Sequence, residues 1–174
     1  MTQLLETAIQ AAKAGGEEIL KIYNGHIEVE TKSDNSPLTL ADKNAHLAIM
    51  DFLKDTRIPV LSEEGREIPF EERKNWDKIW IVDPLDGTKN FSTHLPLYYV
   101  AIAFVKDNVV TNAVVFMPIW YELFYAEKEN GVFLNGNKIT VSKQDKLKES
   151  YVCFCRGLAE NSIKRSTQYY SKLA

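Results

Sequence analysis

Asp83 and Asp86 stand three positions apart at the end of an apolar run, and Gly87 and Thr88 follow them directly in Trp80-Ile81-Val82-Asp83-Pro84-Leu85-Asp86-Gly87-Thr88-Lys89-Asn90-Phe91. Lys78 to Val82 reads as a strand buried on at least one face. Pro84 cannot donate to a sheet ladder and should end that strand, while Gly87 permits a close backbone approach. A short helix opened by Thr88 and running through Phe91 would aim the free amides of Gly87 and Thr88 outward, where hydrogen bonding and the helix dipole favour an anion. Two carboxylates repel such an anion unless a cation lies between them. Hard oxygen ligands select Mg²⁺, which typically takes one or two carboxylates with phosphate and water. The string reads as a corner for a metal ion and a phosphate ester. The plainer reading is a turn with an N-cap, which Asp-Pro, Asp-Gly and Thr all favour.

Further acidic residues fall where other elements begin or end. Leu40, Ala41, Ala45, Ala48, Ile49, Phe52 and Leu53 write one face of a helix from Leu38 or Thr39 to Thr56. Thr39 is its expected N-cap, which puts Asp42 at N3, where the charge suits the dipole and can reach back to the cap. Capping and catalysis compete as accounts of Asp42. Ile58 to Ser62 reads as a short strand ending in Glu63-Glu64-Gly65, and strand ends are where α/β and α+β folds gather site residues. A pair of solvated loop glutamates is the alternative. His26 and His46 read as solvated or packed side chains.

The other segments position these groups. Thr2 to Tyr23 reads as a long amphipathic helix interrupted by Gly15-Gly16, which implies a bend or a close contact. Ile27 to Lys32 alternates as a strand, and residues 33–37 form a polar loop. Arg66 to Asp77 is a charged connection with a helical turn after Pro69. Tyr98 to Val105, Val109 to Met117, Glu122 to Ala126, Val132 to Leu134 and Ile139 to Ser142 read as strands with short connections, hence antiparallel neighbours. Two long helices before such a meander indicate an α+β layered domain with the helices on one sheet face. Ser142 to Ser150 reads as a linker, Tyr151 to Cys155 as a new strand and Ala159 to Lys172 as a helix. Residues 1–145 form one expected domain and 146–174 the opening of a second, α/β in type.

The 174 residues are 45% hydrophobic with a net charge of −3, which suits a real core and argues against a nucleic-acid backbone as partner. No apolar run approaches membrane-spanning length and the first residues lack a signal-peptide pattern, so a cytoplasmic address is expected. Cys153 and Cys155 read as small buried hydrophobes.

The segment from Trp80 to Phe91 resembles the signature of the Mg²⁺-dependent, lithium-sensitive phosphatases related to inositol monophosphatase. Lys32-Ser33-Asp34, Thr39-Leu40-Ala41-Asp42, Leu61-Ser62-Glu63-Glu64 and Gly131-Val132-Phe133-Leu134-Asn135-Gly136 match in the same order, covering nearly all of the chain. The resemblance implies Glu63, Asp83, the carbonyl of Leu85 and Asp86 as ligands for two or three Mg²⁺ ions. It implies Asp42 and Thr88, assisted by Glu63, as the groups that orient or deprotonate the attacking water. The amides of Gly87 and Thr88 would hold the phosphate, and Glu64 would support the ligands. The reaction implied is direct hydrolysis of a small phosphate ester by metal-activated water.

Two substrate classes fit the resemblance. Asp34 to Asp42 and Pro59 to Glu64 look like the branch that removes the 3′-phosphate of adenosine 3′,5′-bisphosphate. Lys89-Asn90-Phe91 and Gly131 to Gly136 look like inositol monophosphatase, and the balance favours an inositol monophosphate or a similar polyol phosphate. Full-length relatives carry a second domain with a Trp-Asp-x-x-Ala-Gly motif whose aspartate completes a metal site. That motif is absent from these residues, which makes an inactive remnant or a non-enzymatic binding module a further reading. A homodimer would follow the habit of the family.

Overall fold

The computed structural model describes residues 1–23, 25, 29–31 and 37–151. The chain divides into two compact units, Met1–Thr140 and Val141–Ala174. The expectations placed on His26, Ile27, residues 32–36, Cys153, Cys155 and the strand and helix after Tyr151 lie outside the described residues. In the second unit, a short turn at Leu147–Glu149 is closed by the Gln144 amide, which donates to the Glu149 carbonyl at 2.8 Å.

The first unit opens with helix α1 (Gln3–Tyr23), followed by an antiparallel pair of short strands, β1 (Val29–Thr31) and β2 (Pro37–Thr39). Helix α2 (Leu40–Leu53), strand β3 (Val60–Ser62) and the single helical turn α3 (Phe70–Arg73), which follows Pro69, come next. Then come β4 (Lys78–Asp86), the short helix α4 (Thr88–Ser92), and the meander β5 (Tyr99–Lys106), β6 (Val109–Met117), β7 (Glu122–Glu127), β8 (Gly131–Leu134) and β9 (Asn137–Ile139). Strands β3 to β9 form one seven-stranded sheet in chain order, with β3 parallel to β4 and each later pair antiparallel. The α+β layering read from the sequence is what the chain forms. Among the described residues no helix is long and apolar enough to cross a membrane.

Alternation along the strands decides which face is covered. Trp80, Val82, Val100, Ile102, Phe104, Val114 and Phe116 are buried with Leu5, Ala8, Ile9, Ala12 and Ile19 of α1 and Ala41, Ala45, Ile49 and Leu53 of α2. Burying each large side chain contributes roughly 1.5–3 kcal/mol. The glycine pair in α1 marks close packing: a Cβ on Gly15 would lie 2.9 Å from Ile49 of α2, and one on Gly16 2.5 Å from the Phe116 ring of the sheet.

One expectation about β4 needs correcting. The strand does not stop at Pro84 but runs to Asp86, and its ladder with β5 breaks between Asp83 and Asp86. Pro84 has no N–H to offer the ladder, and the Leu85 N–H turns instead to Asp83 Oδ1 at 3.1 Å. The proline interrupts the pairing without ending the strand.

Candidate metal and phosphate site

The bulge in β4 is what makes two carboxylates three positions apart face the same way. In a regular strand residues i and i+3 point to opposite faces. Here Asp83 lies opposite Ala101, whereas Asp86 lies opposite Tyr99 instead of Tyr98, a slip of one residue. Tyr99 and Ala101 share one face of β5, so Asp83 and Asp86 share it too. That face is opposite to the one on which Trp80 and Val82 meet the helices.

Glu63 arrives from the neighbouring strand. The parallel register sets Ser62 beside Val82, and the Glu63 N–H donates to the Val82 carbonyl at 3.1 Å, which carries the pairing one residue further and brings Glu63 alongside Asp83. Burial first, and then the charges of Glu63 and Asp86, push the Asp83 carboxyl up to about 7, with a hydrogen bond to Glu63 adding to the rise and the Leu85 amide opposing it. Crowded, buried carboxyls of this kind favour the protonated form.

Asp42 comes from the start of α2, as expected, and is only 2% exposed. Its Oδ2 accepts the Thr39 N–H at 2.7 Å and the Thr39 hydroxyl at 2.6 Å, so the capping account is correct. Its Oδ1 lies 3.2 Å from the Thr88 hydroxyl, which also stands 3.1 Å from the Leu85 carbonyl. The same carboxylate therefore caps a helix and reaches the acidic corner.

Gly87 makes the turn into α4. Its φ of +94° is in the left-handed region, and a Cβ there would lie 2.7 Å from the Leu97 carbonyl and 3.2 Å from Tyr98. The Phe91 N–H donates to the Gly87 carbonyl at 3.0 Å, so the intrahelical bonds of α4 begin there and the amides before Phe91 have no partner of that kind. Asn90 stabilises the return of the chain, donating to the Leu97 carbonyl at 2.7 Å.

His46 packs beside this corner rather than in solvent. Its Nδ1 lies 2.9 Å from Ser62 Oγ, and burial lowers its pKa against an opposing pull from Glu64. Sequence reasoning missed Tyr99, whose phenol donates to Asp86 Oδ2 and whose pKa is pushed up to about 12, chiefly by that bond. No motif marks it, because its place beside Asp86 depends on the slipped register.

The sequence matches the inositol monophosphatase family over residues 1–173. The chain belongs to that family. It is 37% identical over 136 residues to the 3′(2′),5′-bisphosphate nucleotidase CysQ of Haemophilus influenzae, covering 75% of this chain and 49% of that protein. It is 34% identical over 155 residues to an inositol monophosphatase of Dictyostelium discoideum, covering 87% of this chain and 57% of that protein. The crystal structure of the extragenic suppressor protein suhB from Bartonella henselae superposes with a TM-score of 0.76 at 30% identity, over 84% of this chain and 57% of the other. The chain spans about half the length of the curated relatives it matches.

The family implies a metal ion, and the donor chemistry fits one: carboxylate oxygens of Glu63, Asp83 and Asp86 with the Leu85 carbonyl, all hard ligands. Among the described residues no group of three His, Cys, Asp or Glu side chains is placed to hold a metal ion. Asp83 is engaged with Glu63 and the Leu85 amide, and Asp86 with Tyr99. Mg²⁺ usually keeps several waters and does not require an all-protein cage.

Proposed function

We propose that this chain carries the metal and phosphate half of a Mg²⁺-dependent phosphomonoester hydrolase. The observation that supports this best is the meeting of Glu63, just past the end of β3, with Asp83 in the adjacent parallel strand β4, with Asp86 turned to the same face by the bulge. In this reading Glu63, Asp83, the Leu85 carbonyl and Asp86 hold two or three Mg²⁺ ions. Bound there, Mg²⁺ supplies a lowered water pKa and offsets the charge of the phosphate oxygens. Thr88 would take a proton from the attacking water as it gives its own to Asp42, Glu63 would assist, and the amides of Gly87 and Thr88 would bind the phosphate.

The single hydroxyl proton of Thr88 has two acceptors within reach, Asp42 Oδ1 and the Leu85 carbonyl. A carbonyl that shares its electrons with a cation is the poorer acceptor of the two, which favours Asp42. Asp42 is held by Thr39 from its other oxygen, so its position does not depend on substrate. Residues from 146 on we assign to the start of a second domain.

An inositol monophosphate or a similar polyol phosphate is one proposed substrate class. Adenosine 3′,5′-bisphosphate is the other, and the higher identity to the Haemophilus nucleotidase favours it. Phosphate release from the two compounds side by side, with and without Mg²⁺, decides between them. Asp83→Asn should abolish release and leave the far-ultraviolet circular dichroism unchanged, because this carboxylate serves the cation rather than the core. Unchanged turnover in that variant would remove the site assignment. Mg²⁺ binding with no release from either compound would leave a cation-binding module.

A further inference from the structure

Tyr99 joins the acidic corner from β5, a segment to which none of the motifs assigns a role. The register that resumes after the bulge sets Tyr99 directly opposite Asp86, and paired residues of antiparallel strands project their side chains from one face as neighbours. The phenol takes advantage of this and donates to Asp86 Oδ2. Asp83, two pairs along on the same face, adds its charge to the field the phenol feels.

A carboxylate on a short side chain at the end of a strand has free rotation to spend unless something fixes it. One donated hydrogen bond selects an orientation and leaves the second oxygen, and the remaining lone pairs of the first, for a cation. Partners that orient a ligand in this way typically change metal affinity by about 10–100-fold when removed. An alternative role, plain stabilisation of the β4 and β5 pair, would act on folding and not on the cation.

We propose that Tyr99 is a positioning residue that sets the orientation of Asp86 for a divalent cation, so that the affinity of this site depends on the Tyr99 hydroxyl. The inference rests on the reading of Asp86 as a ligand given above. Phenylalanine at this position removes one oxygen and keeps the ring, so Tyr99→Phe isolates the hydroxyl, and Tyr99→Leu provides a second variant without it.

The test is a calorimetric titration of the full 174-residue chain with Mn²⁺, for the unaltered protein, Tyr99→Phe, Tyr99→Leu, Asp86→Asn and the Tyr99→Phe/Asp86→Asn pair. Tyr99→Phe should weaken Mn²⁺ binding about tenfold or more while the metal-free melting midpoint stays close to that of the parent. In the Asp86→Asn background the same change should have no further effect. Equal Mn²⁺ affinity in the parent and Tyr99→Phe overturns this inference and leaves the cation site standing. So does a loss that persists undiminished in the Asp86→Asn background, because the hydroxyl would then act through something other than Asp86. A parent chain that binds no Mn²⁺ overturns both the inference and the site.

Discussion

The hydroxyl of Thr88 stands 3.2 Å from Oδ1 of Asp42, joining the start of α4 to the start of α2 across 46 positions of sequence. Two helix starts are thereby tied at the place where the acidic strand ends converge. If the bond carries a proton, Thr88→Ala should lower phosphate release by about 100-fold or more, the usual scale for losing a positioned acid or base. Thr88→Ser, which keeps the hydroxyl, should retain most of it. A capping or packing role alone would lower the melting midpoint and spare turnover. Full activity in Thr88→Ala would end the relay.

Asp83 makes the metal-free protein sensitive to pH in a direction that can be worked out. Its carboxyl titrates at about 7 when folded, against an ordinary 3.8, so between those values the native state holds a proton that the unfolded chain has released. The stability contributed by this group is complete below the lower value and is lost as pH rises through the upper one. Melting in the presence of a chelator should therefore show a midpoint that falls between about pH 4 and pH 7. Asp83→Asn should flatten that part of the profile. Mg²⁺ added at pH 8 should raise the midpoint of the parent and not of the variant, since a ligand that binds only the native state stabilises it.

The glycine pair in α1 supplies a prediction about packing. A Cβ on Gly16 would stand 2.5 Å from the Phe116 ring and 3.3 Å from Pro118, and Phe116 is fully enclosed. Alanine is the better helix former by about 1 kcal/mol, so an exposed site would gain from Gly16→Ala. Here the overpacking term of roughly 1–3 kcal/mol wins, and urea denaturation should show a net loss. A gain in stability would mean that α1 can lift from the sheet at no cost.

Much of this molecule could be read before any coordinates. The helical face of Leu40 to Leu53, the N-cap at Thr39 and the meander all follow from local periodicity and turn chemistry, and the carboxylates of Asp42 and Glu63 stand at element ends where the sequence placed them, while Asp83 stands inside β4. What could not be read is register. Asp83 and Asp86 face the same way only because the ladder slips by one residue beside Pro84, and the sequence pattern alone argued that the strand stopped there. The same slip chooses Tyr99 over Tyr98 as the partner of Asp86, a choice between two adjacent identical residues that no spacing rule makes. The double use of Asp42, cap and site together, also needed the fold, because only tertiary contact brings Thr88 to it.

Gly87 gives the most direct test of how tightly the turn into α4 is built. Its φ of +94° would strain any L side chain, and the Leu97 carbonyl, at 2.7 Å from the position of a Cβ, is backbone that cannot swing aside. Both effects oppose Gly87→Ala, and left-handed strain alone costs roughly 1–2 kcal/mol. The clash must be relieved by moving either the Leu97 to Tyr98 backbone or the turn itself. Moving the turn displaces Asp86 on one side and Thr88 on the other. Denaturation of Gly87→Ala should show a loss of about 2 kcal/mol or more, and Mn²⁺ affinity should fall with it. A variant as stable as the parent that still binds Mn²⁺ normally would show that the turn has room to adjust, and the close approach of Gly87 to Leu97 would then have no bearing on the site.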